Sequence, residues 1–502
     1  MPGTPVRTDA ARASRARRIG ILLICCMSLF IVGLDNTIVN VALPSISRDL
    51  HATLSGLQWI VDAYTLVLAS LLMLSGSMAD RFGRRRVFQL GLVLFTLGSL
   101  ACSLAPNLAS LVAFRMMQAV GGSMLNPVAM SIIRNTFEDP RERAQAIGVW
   151  GAVVGVSMAL GPVTGGLLVE AVGWRSIFWV NIPVGLAAVI LTALYVPESK
   201  ALVARRLDAV GELLVIVTLA TLTYGIIEGP RRGWTSPAIL TLFSVATASL
   251  VALVAYETRR REPLIDMRFF RSAPFSGASV IAVAAFVCLA GFLFLNTLYL
   301  QDVRGLSSLQ AGLDTLPMAG MTVLLSPVSG RLVGRVGARP SLVVGGLGLA
   351  GGGWLLTDLS STTSFTRLFV AYVVFGIGFG VVNAPITVAA VSGMPPSQAG
   401  VASAVASTSR QVGQTLGVAI VGATAAAALA GGRFAQGFAV ATHAGWWLVT
   451  GCGAFVLGLG LLTTTPWALR TAERTAAWVA SPEPASLRRA RRGQSRPAPL
   501  DV

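Results

Sequence analysis

Gly76-Ser-Met-Ala-Asp80-Arg81-Phe-Gly83-Arg84-Arg85-Arg86 separates two long apolar runs, and a weaker copy, Gly330-Arg-Leu-Val-Gly334-Arg335-Val-Gly337-Ala-Arg339, separates another two in the second half of the chain. Short loops at corresponding places, each with glycine and clustered arginine at helix ends, mark an internally repeated membrane chain. The apolar runs are about 20 residues long, enough to cross about 30 Å of hydrocarbon, and about fourteen can be counted. They begin near Ile19, Leu57, Val87, Leu108, Ala146, Ser176, Val210, Pro237, Phe275, Leu309, Ser341, Leu368, Ala402 and Gly445. The second loop has Gly334 where the first has Asp80, so any device the two loops share is asymmetric.

Composition agrees. The chain is 54% hydrophobic and 12% charged, with a mean hydropathy of +0.72, too apolar for a soluble domain. An even number of spans puts both termini on one side of the bilayer. The N-terminal tail, with Arg7, Arg12, Arg15, Arg17 and Arg18, then shares a side with the loops holding Arg84 to Arg86 and Arg259 to Arg261. That side is expected to be the cytoplasm, with roughly thirty Lys and Arg residues inside against about seven outside. The net charge of +17 is thereby accounted for. No nucleic-acid partner is expected, because the basic residues are scattered over short loops instead of forming one stripe beside aromatics. Ile19 to Phe30 runs on without a small-residue cleavage site and reads as a retained first span. Cys25, Cys26, Cys102, Cys288 and Cys452 lie inside spans with no paired spacing, which implies neither a disulfide framework nor a metal site.

A repeat offset of roughly 255 residues aligns spans 1 to 6 with spans 9 to 14 and leaves spans 7 and 8 as an insert. Asn126-Pro127 and Asn383-Ala-Pro385 fall into register under that offset. The expected architecture is an all-α polytopic membrane protein of two six-helix bundles plus a two-helix insert. Its parts are a cytoplasmic tail at 1–18, a first bundle at 19–200, the insert with its linkers at 201–265, a second bundle at 266–469, and a disordered basic tail at 470–502 that holds Arg488, Arg489, Arg491 and Arg492.

Charged residues inside spans are costly in hydrocarbon and are functional candidates by default. Asp35, in Leu34-Asp35-Asn36-Thr37-Ile38-Val39-Asn40-Val41-Ala42-Leu43-Pro44, lies about 13 Å along a helix from the outer end of the first span. Arg115, followed by Gln118, enters the fourth span from the same face to a depth of about 10 Å. An arginine favours the charged form of a nearby carboxylate and burial favours the neutral form, so the pair offers a proton site that responds to water and substrate. A permanent ion pair holding helices together is the alternative. Asp62, about 8 Å into the second span, is open to two readings, a membrane-buried acid or an interfacial one. The same holds for Asp314 in span 10. The depth of Arg410 depends on where span 13 begins, which the residues leave open. Asn40, Gln118, Asn126, Asp314 and Tyr299 are the candidates for lining a substrate cavity.

Span 5 carries small residues at helical spacing, Gly151, Gly155, Gly161, Gly165 and Gly166, with Pro162 among them. Such a face allows close helix contact, and the Gly-Pro and Gly-Gly pairs imply a bent helix at a moving interface. In the opening loop, Gly76, Asp80, Arg81, Gly83, Arg84 and Arg85 form a candidate gate: an acid at a helix end, a glycine turn and arginines can bind a neighbouring terminus and lock one arrangement of the two halves.

Together these segments resemble the major facilitator superfamily, and within it the fourteen-span drug:proton antiporter branch, over nearly the whole chain. The likeness rests on Leu34 to Pro44, Gly76 to Arg86, Arg115 with Gln118, Gly161-Pro162-Val-Thr-Gly165-Gly166, and Gly173-Trp174-Arg175-Ser-Ile-Phe178-Trp-Val-Asn181-Ile-Pro183-Val-Gly185. It implies a proton-driven exporter of drugs or antibiotics in a bacterial cell membrane, working by alternating access as a monomer. It also implies that Asp35 and Arg115 take part in proton coupling, for which Asp62 is a further candidate as an acid within a span, that Asp80 with Arg84 and Arg85 forms a conformational lock, and that the proton gradient serves as energy source without a cofactor. Asp62 matches the subset that resembles quaternary-ammonium and antibiotic exporters, which tilts the expected amphipathic substrate towards cations. Ala119 and Ser157 stand where the family often has glycine.

No enzyme is expected. His51 and His443 lie far apart, and the only lysine, Lys200, is followed by Ala201, so a Walker-type phosphate loop is absent. A proton-coupled metabolite importer is the competing transport reading and a non-transporting membrane sensor the competing class; flux direction separates the first from an exporter, and substrate-dependent proton movement separates the second.

Overall fold

A computed structural model describes residues 6–200, 207–260, 263, 265–392, 399–429 and 434–480, and no strand forms among them. Arg205, Arg206 and Arg261 of the linkers and the cluster at Arg488, Arg489, Arg491 and Arg492 lie outside the described residues. In chain order the helices are α1 (Val6–Leu50), α2 (Leu54–Phe82), α3 (Arg84–Ser103), α4 (Leu108–Thr136), α5 (Pro140–Ala171), the short α6 (Ser176–Trp179), α7 (Asn181–Tyr195), α8 (Ala209–Arg232) and α9 (Pro237–Arg259). A 3-10 turn at Met267–Arg271 leads into α10 (Ala273–Leu298), which a wide turn at Tyr299–Val303 extends. Then follow α11 (Ser308–Asp314), α12 (Leu316–Val336), α13 (Arg339–Trp354), α14 (Phe365–Val391), α15 (Ala399–Leu429), α16 (Phe434–Ala441), α17 (His443–Thr463) and α18 (Pro466–Ala480).

Thirteen helical segments among the described residues are long and apolar enough to cross a membrane. With its 16 residues, α13 is shorter than these, yet it packs against both α14 and α17. Helix starts follow local chemistry. Thr53, Asn107, Asp139, Ser236, Ser272 and Ser364 each accept a hydrogen bond from a backbone N–H of the first turn, and Pro140 and Pro237 begin their helices where a missing N–H costs nothing. Residues 6–18, within the expected N-terminal tail, are helical and continuous with the first span, and 470–480, within the stretch expected to be disordered, belong to α18; the alanine- and arginine-rich sequence on both flanks favours helix.

The packing partners recur in the two halves. α1 lies on α5 as α10 lies on α15; α2 lies on α4 as α12 lies on α14; α3 touches α4 and α7 as α13 touches α14 and α17. Small residues make these contacts close. A side-chain carbon at Gly121 would stand 2.3 Å from the Phe95 backbone nitrogen across the α3–α4 seam, and one at Gly378 would stand 2.4 Å from the nitrogen of Leu349 across the α13–α14 seam. In a bilayer, where lipid tails are as apolar as leucine, such close packing supplies much of the association between helices. α8 and α9 pair with each other, and α8 lies over both α2 and α15.

Replacing Gly121 with leucine should therefore lower stability by about 1–3 kcal/mol or more, whereas Gly451→Ala, where no atom lies within 4 Å of the added carbon, should be neutral. Thermal melting of the two purified variants in the same detergent checks this; equal melting temperatures would remove the close seam as a stability element.

Candidate functional site

Asp35 sits on α1 facing the core, with no exposed surface, and Arg115 on α4 meets it there. The Arg115 Nη1 donates to Asp35 Oδ2 at 2.5 Å and to Gln118 Oε1 at 2.7 Å, while Nε donates to the carbonyl of Ile60 at 3.2 Å. Gln118 Nε2 donates to Asp35 Oδ1 at 2.8 Å and to Ser99 Oγ at 2.7 Å. Asn181 Nδ2, from the start of α7, reaches Asp35 Oδ1 and Ser99 Oγ, both at 3.1 Å. The Arg115 guanidinium lies 4.1 Å from the Tyr64 ring centroid, where a π face attracts a desolvated cation. Side chains of α1, α2, α3, α4 and α7 thus converge on one carboxylate. Asp35 and Arg115 were legible as intramembrane charges. Asn181 stands out only as an amide in an apolar run, and Ser99 and Tyr64 carry no sequence signal beyond ordinary span composition.

A cavity of about 1240 Å³ lies on the opposite side of α1. Val32, Gly33, Asn36 and Thr37 line it, whereas Asp35 between them does not, because neighbouring residues on a helix point about 100° apart. Its walls come from α1, α2, α4 and α5 on one side and α10, α12, α14 and α15 on the other. It reaches the end of the molecule where the arginine loop lies, with Asp80, Arg84, Arg134, Asp208 and Asp266 around that end.

The other end is closed by direct contacts between the halves. Gln58 Nε2 on α2 donates to the carbonyls of Val418 and Ala419 on α15, at 3.2 and 2.9 Å. Thr415 Oγ1 donates to Thr65 Oγ1 at 2.9 Å, and Gln301 Nε2 donates to the Val41 carbonyl at 2.9 Å. Asp62 is on the same helix face, four residues after Gln58 and three before Thr65, fully buried, and neither carboxylate oxygen has a hydrogen-bond partner. It is enclosed by protein at the seam between the halves.

Of the five residues expected to line the cavity, Asn126 does so and the other four do not. Gln118 is consumed by the Asp35 network. Asn40 turns its amide back to the Asn36 carbonyl. Tyr299 is buried and donates to the Ser360 carbonyl at 2.7 Å. Asp314 ends α11 at the break before α12, in the closed half of the molecule. These helices present several inward faces, and neither depth nor residue type selects the face towards the cavity.

The small-residue motif of α5 divides in two. Gly151 and Gly155 line the cavity. Gly161 and Gly165 press on α1, where an added carbon would meet Thr37 Oγ1 at 1.9 Å and Ile38 Cγ1 at 2.7 Å; at Gly166 it would meet the Ser308 carbonyl at 2.5 Å. Pro162 carries its carbonyl to within 2.3 Å of a carbon added at Gly312 on α11. In the arginine loop, Gly76 and Asp80 line the cavity, Arg81 is exposed, and Asp80 pairs with Arg84 at 2.9 Å one turn on, not with another helix terminus. The loop is held from elsewhere. The Arg84 backbone N–H donates to the Ser199 carbonyl at 2.9 Å, that of Arg85 to Glu198 Oε1 at 3.2 Å, and Arg85 Nη2 to the Ala193 carbonyl at 2.8 Å. Gly83 has a φ of +113°, and Glu198 Oε1 would lie 2.5 Å from any side-chain carbon there, so both backbone and space demand glycine.

Comparison with known proteins places this geometry in context. The model of the Major Facilitator Superfamily matches residues 25–418. The chain is 39% identical over 401 residues to the protein named multidrug resistance protein Stp of Mycobacterium tuberculosis, covering 80% of this chain and 74% of that protein. It is 37% identical over 413 residues to the tetracenomycin C resistance and export protein of Streptomyces glaucescens, covering 82% and 77%. In structure it is similar to the inward-facing, unoccupied form of a bacterial homologue of the human lysosomal transporter Spinster, with a TM-score of 0.64, 18% identity, and coverage of 91% of this chain and 98% of that one. A D-xylose-proton symporter matches with a TM-score of 0.64 at 16% identity, covering 88% and 97%.

Removing the guanidinium leaves the Asp35 charge in the core with amides alone. Arg115→Met should accordingly cost about 3–5 kcal/mol of stability, and adding Asp35→Asn to it should recover part of the loss. A double-mutant cycle by thermal melting measures the coupling; additive losses would show that the two groups do not depend on each other.

Proposed function

The chain belongs to the Major Facilitator Superfamily, and from that premise we propose that it exports amphipathic drugs or antibiotics in exchange for protons, by alternating access. It is a membrane transporter and not an enzyme. The observation that carries the proposal is the position of α1 between two sites: its cavity face holds Asn36 and Thr37, and its opposite face holds the Asp35–Arg115 network. The names of the relatives, a multidrug resistance protein and an antibiotic export protein, support export as the direction.

On this reading α13 is a span as well, which makes fourteen, and the recurring helix partners reflect two six-helix bundles with α8 and α9 inserted between them. Both termini and the arginine loop face the cytoplasm of a bacterial cell. The cavity open at that end and sealed at the other is the inward-facing state. Asp35 carries the coupling proton. Neutralising it removes the charge that Arg115, Gln118 and Asn181 all address, which frees α1 to move against α4 and α7 and changes the cavity wall on its other face. Asp62, at the seam between α2 and α15, is the second acid of the proposal, since a proton there neutralises a charge that the packing does not pair. The Asp80–Arg84 turn acts as a gate at the cytoplasmic rim, and the Gly161 to Gly166 face lets α5 slide on α1 and α11.

Two measurements test this. Everted vesicles containing the protein should accumulate members of a panel of cationic dyes, quaternary ammonium compounds and aromatic polyketide antibiotics, and should stop when an uncoupler is added while ATP remains; continued uptake would reject proton drive. Substrate added to detergent-solubilised protein should release protons. Asp35→Asn should abolish that release yet retain binding, and an unchanged release would move the coupling proton to Asp62. Asp80→Asn should slow turnover more than it weakens binding, which equal losses of both would contradict.

A further inference from the structure

The charges around the cavity are unevenly matched. Asp80 is paired with Arg84 at 2.9 Å, Asp208 with Arg260 at 3.0 Å, and Asp266 with Arg268 at 2.7 Å. Arg134 is exposed at the open end. Arg410, on α15, lines the wall eleven residues beyond the first residue of that helix, about 16 Å along its axis. Its Nη2 donates to Thr387 Oγ1 on α14 at 2.5 Å, a neutral acceptor, and its buried Nε has no acceptor. Among the described residues no carboxylate lies within 4.0 Å of it. Asp35, paired with Arg115, and Asp62, buried in the α2–α15 seam, are both absent from the cavity wall and give it no help.

We propose that Arg410 is the receptor for an acidic group on the exported compound, so that this cavity takes amphipaths bearing a carboxylate, phenolate or sulfonate; the inference rests on the export reading of the same cavity. A guanidinium held in a cavity wall without a countercharge attracts an anion, and its planar fork suits two acceptor oxygens. Gln411 and Gln414 lie beside it on the cavity wall, each with an amide oxygen that has no partner, and can bond hydroxyl groups of the same ligand. Phe286 on α10 and Phe379 on α14, helices of the same wall, supply the surface for an apolar body, their rings 5.3 Å apart. A cationic amphipath would meet an unshared positive charge here and, among the described lining residues, no unshared negative one. This reverses the tilt towards cations that Asp62 suggested, because Asp62 is sealed in the α2–α15 seam and not presented to the cavity.

Fluorescein and rhodamine 6G share a xanthene ring system and carry opposite charges, which makes them a suitable pair. Binding to the purified wild-type protein in detergent, followed by fluorescence polarisation, should favour fluorescein by at least about tenfold, the scale of one charge-assisted contact. Arg410→Gln should weaken fluorescein by about tenfold or more, Arg410→Lys, which keeps the charge without the fork, should lose clearly less, and rhodamine 6G should change by less than about twofold in both. Tighter binding of rhodamine 6G by the wild type overturns the inference and leaves export standing, and it needs no variant to fold. Equal losses of both dyes in Arg410→Gln, with Arg410→Lys no better, make the residue structural and overturn it as well. Binding of neither dye overturns it too, and if the vesicle panel is also untransported the export reading falls with it.

Discussion

A carboxylate in the middle of a membrane protein must be compensated, and the N-terminal half of this chain is arranged around that requirement. Asp35 receives hydrogen bonds from Arg115, Gln118 and Asn181, and Ser99 links the two amides to each other. The donors come from two other helices, Arg115 and Gln118 from α4 and Asn181 from α7, so one charge joins α1, α4 and α7, with Ser99 of α3 behind them. The pair is weak evidence for stability in itself, since desolvating two ions offsets much of their attraction. Its consequence is positional. The carboxylate is thus held by contacts from two other helices, and α1 lines the cavity with its other side.

The rest of the packing relies on small residues at the seams. Where helices must approach, glycine removes the side chain from one of them: Gly98 lies against Gln118, Gly121 against Phe95, Gly161 and Gly165 against α1. Contacts of this kind are short-ranged and smooth, with few interlocking side chains to break when two helices shift. The two ends of the molecule contrast. At the sealed end the halves are joined by side chains that donate to backbone carbonyls, as Gln58 and Gln301 do. At the open end the first arginine loop is tied to the end of α7 through Glu198 and Ser199, while Gly337 of the second loop has no atom within 4 Å of an added carbon. The asymmetry that Gly334 in place of Asp80 foretold therefore extends to how each loop is anchored.

Much of the architecture was legible because its causes are local. Apolar runs of membrane length, capping residues such as Asn107 and Ser272, and prolines at helix starts act over a few residues, and the duplicated loop fixes the repeat. Span depth was legible for the same reason, which placed Asp35 and Arg115 in one layer before any contact was known. Within the expected tails, residues 6–18 and 470–480 are helical, since helix-favouring composition continues through them.

What only the tertiary structure decided is which face of each helix meets the cavity, the core or the other half. Asn36 and Asn40 are alike in type and depth class, yet Asn36 lines the cavity and Asn40 bonds back to the Asn36 carbonyl. Asp62 and Arg410 were equally ambiguous; one is sealed in a seam and the other stands in the cavity wall. The physical reason is that a bilayer erases the usual distinction between inside and outside. Lipid, core and cavity wall all accept apolar side chains, so periodicity no longer marks a face, and a polar residue's role depends on partners hundreds of positions away, as Gln58 depends on Val418. The amino-acid sequence by itself determined the spans, their repetition and the charged layer; the fold decided that the acid of that layer lies behind the cavity and that an arginine lies within it.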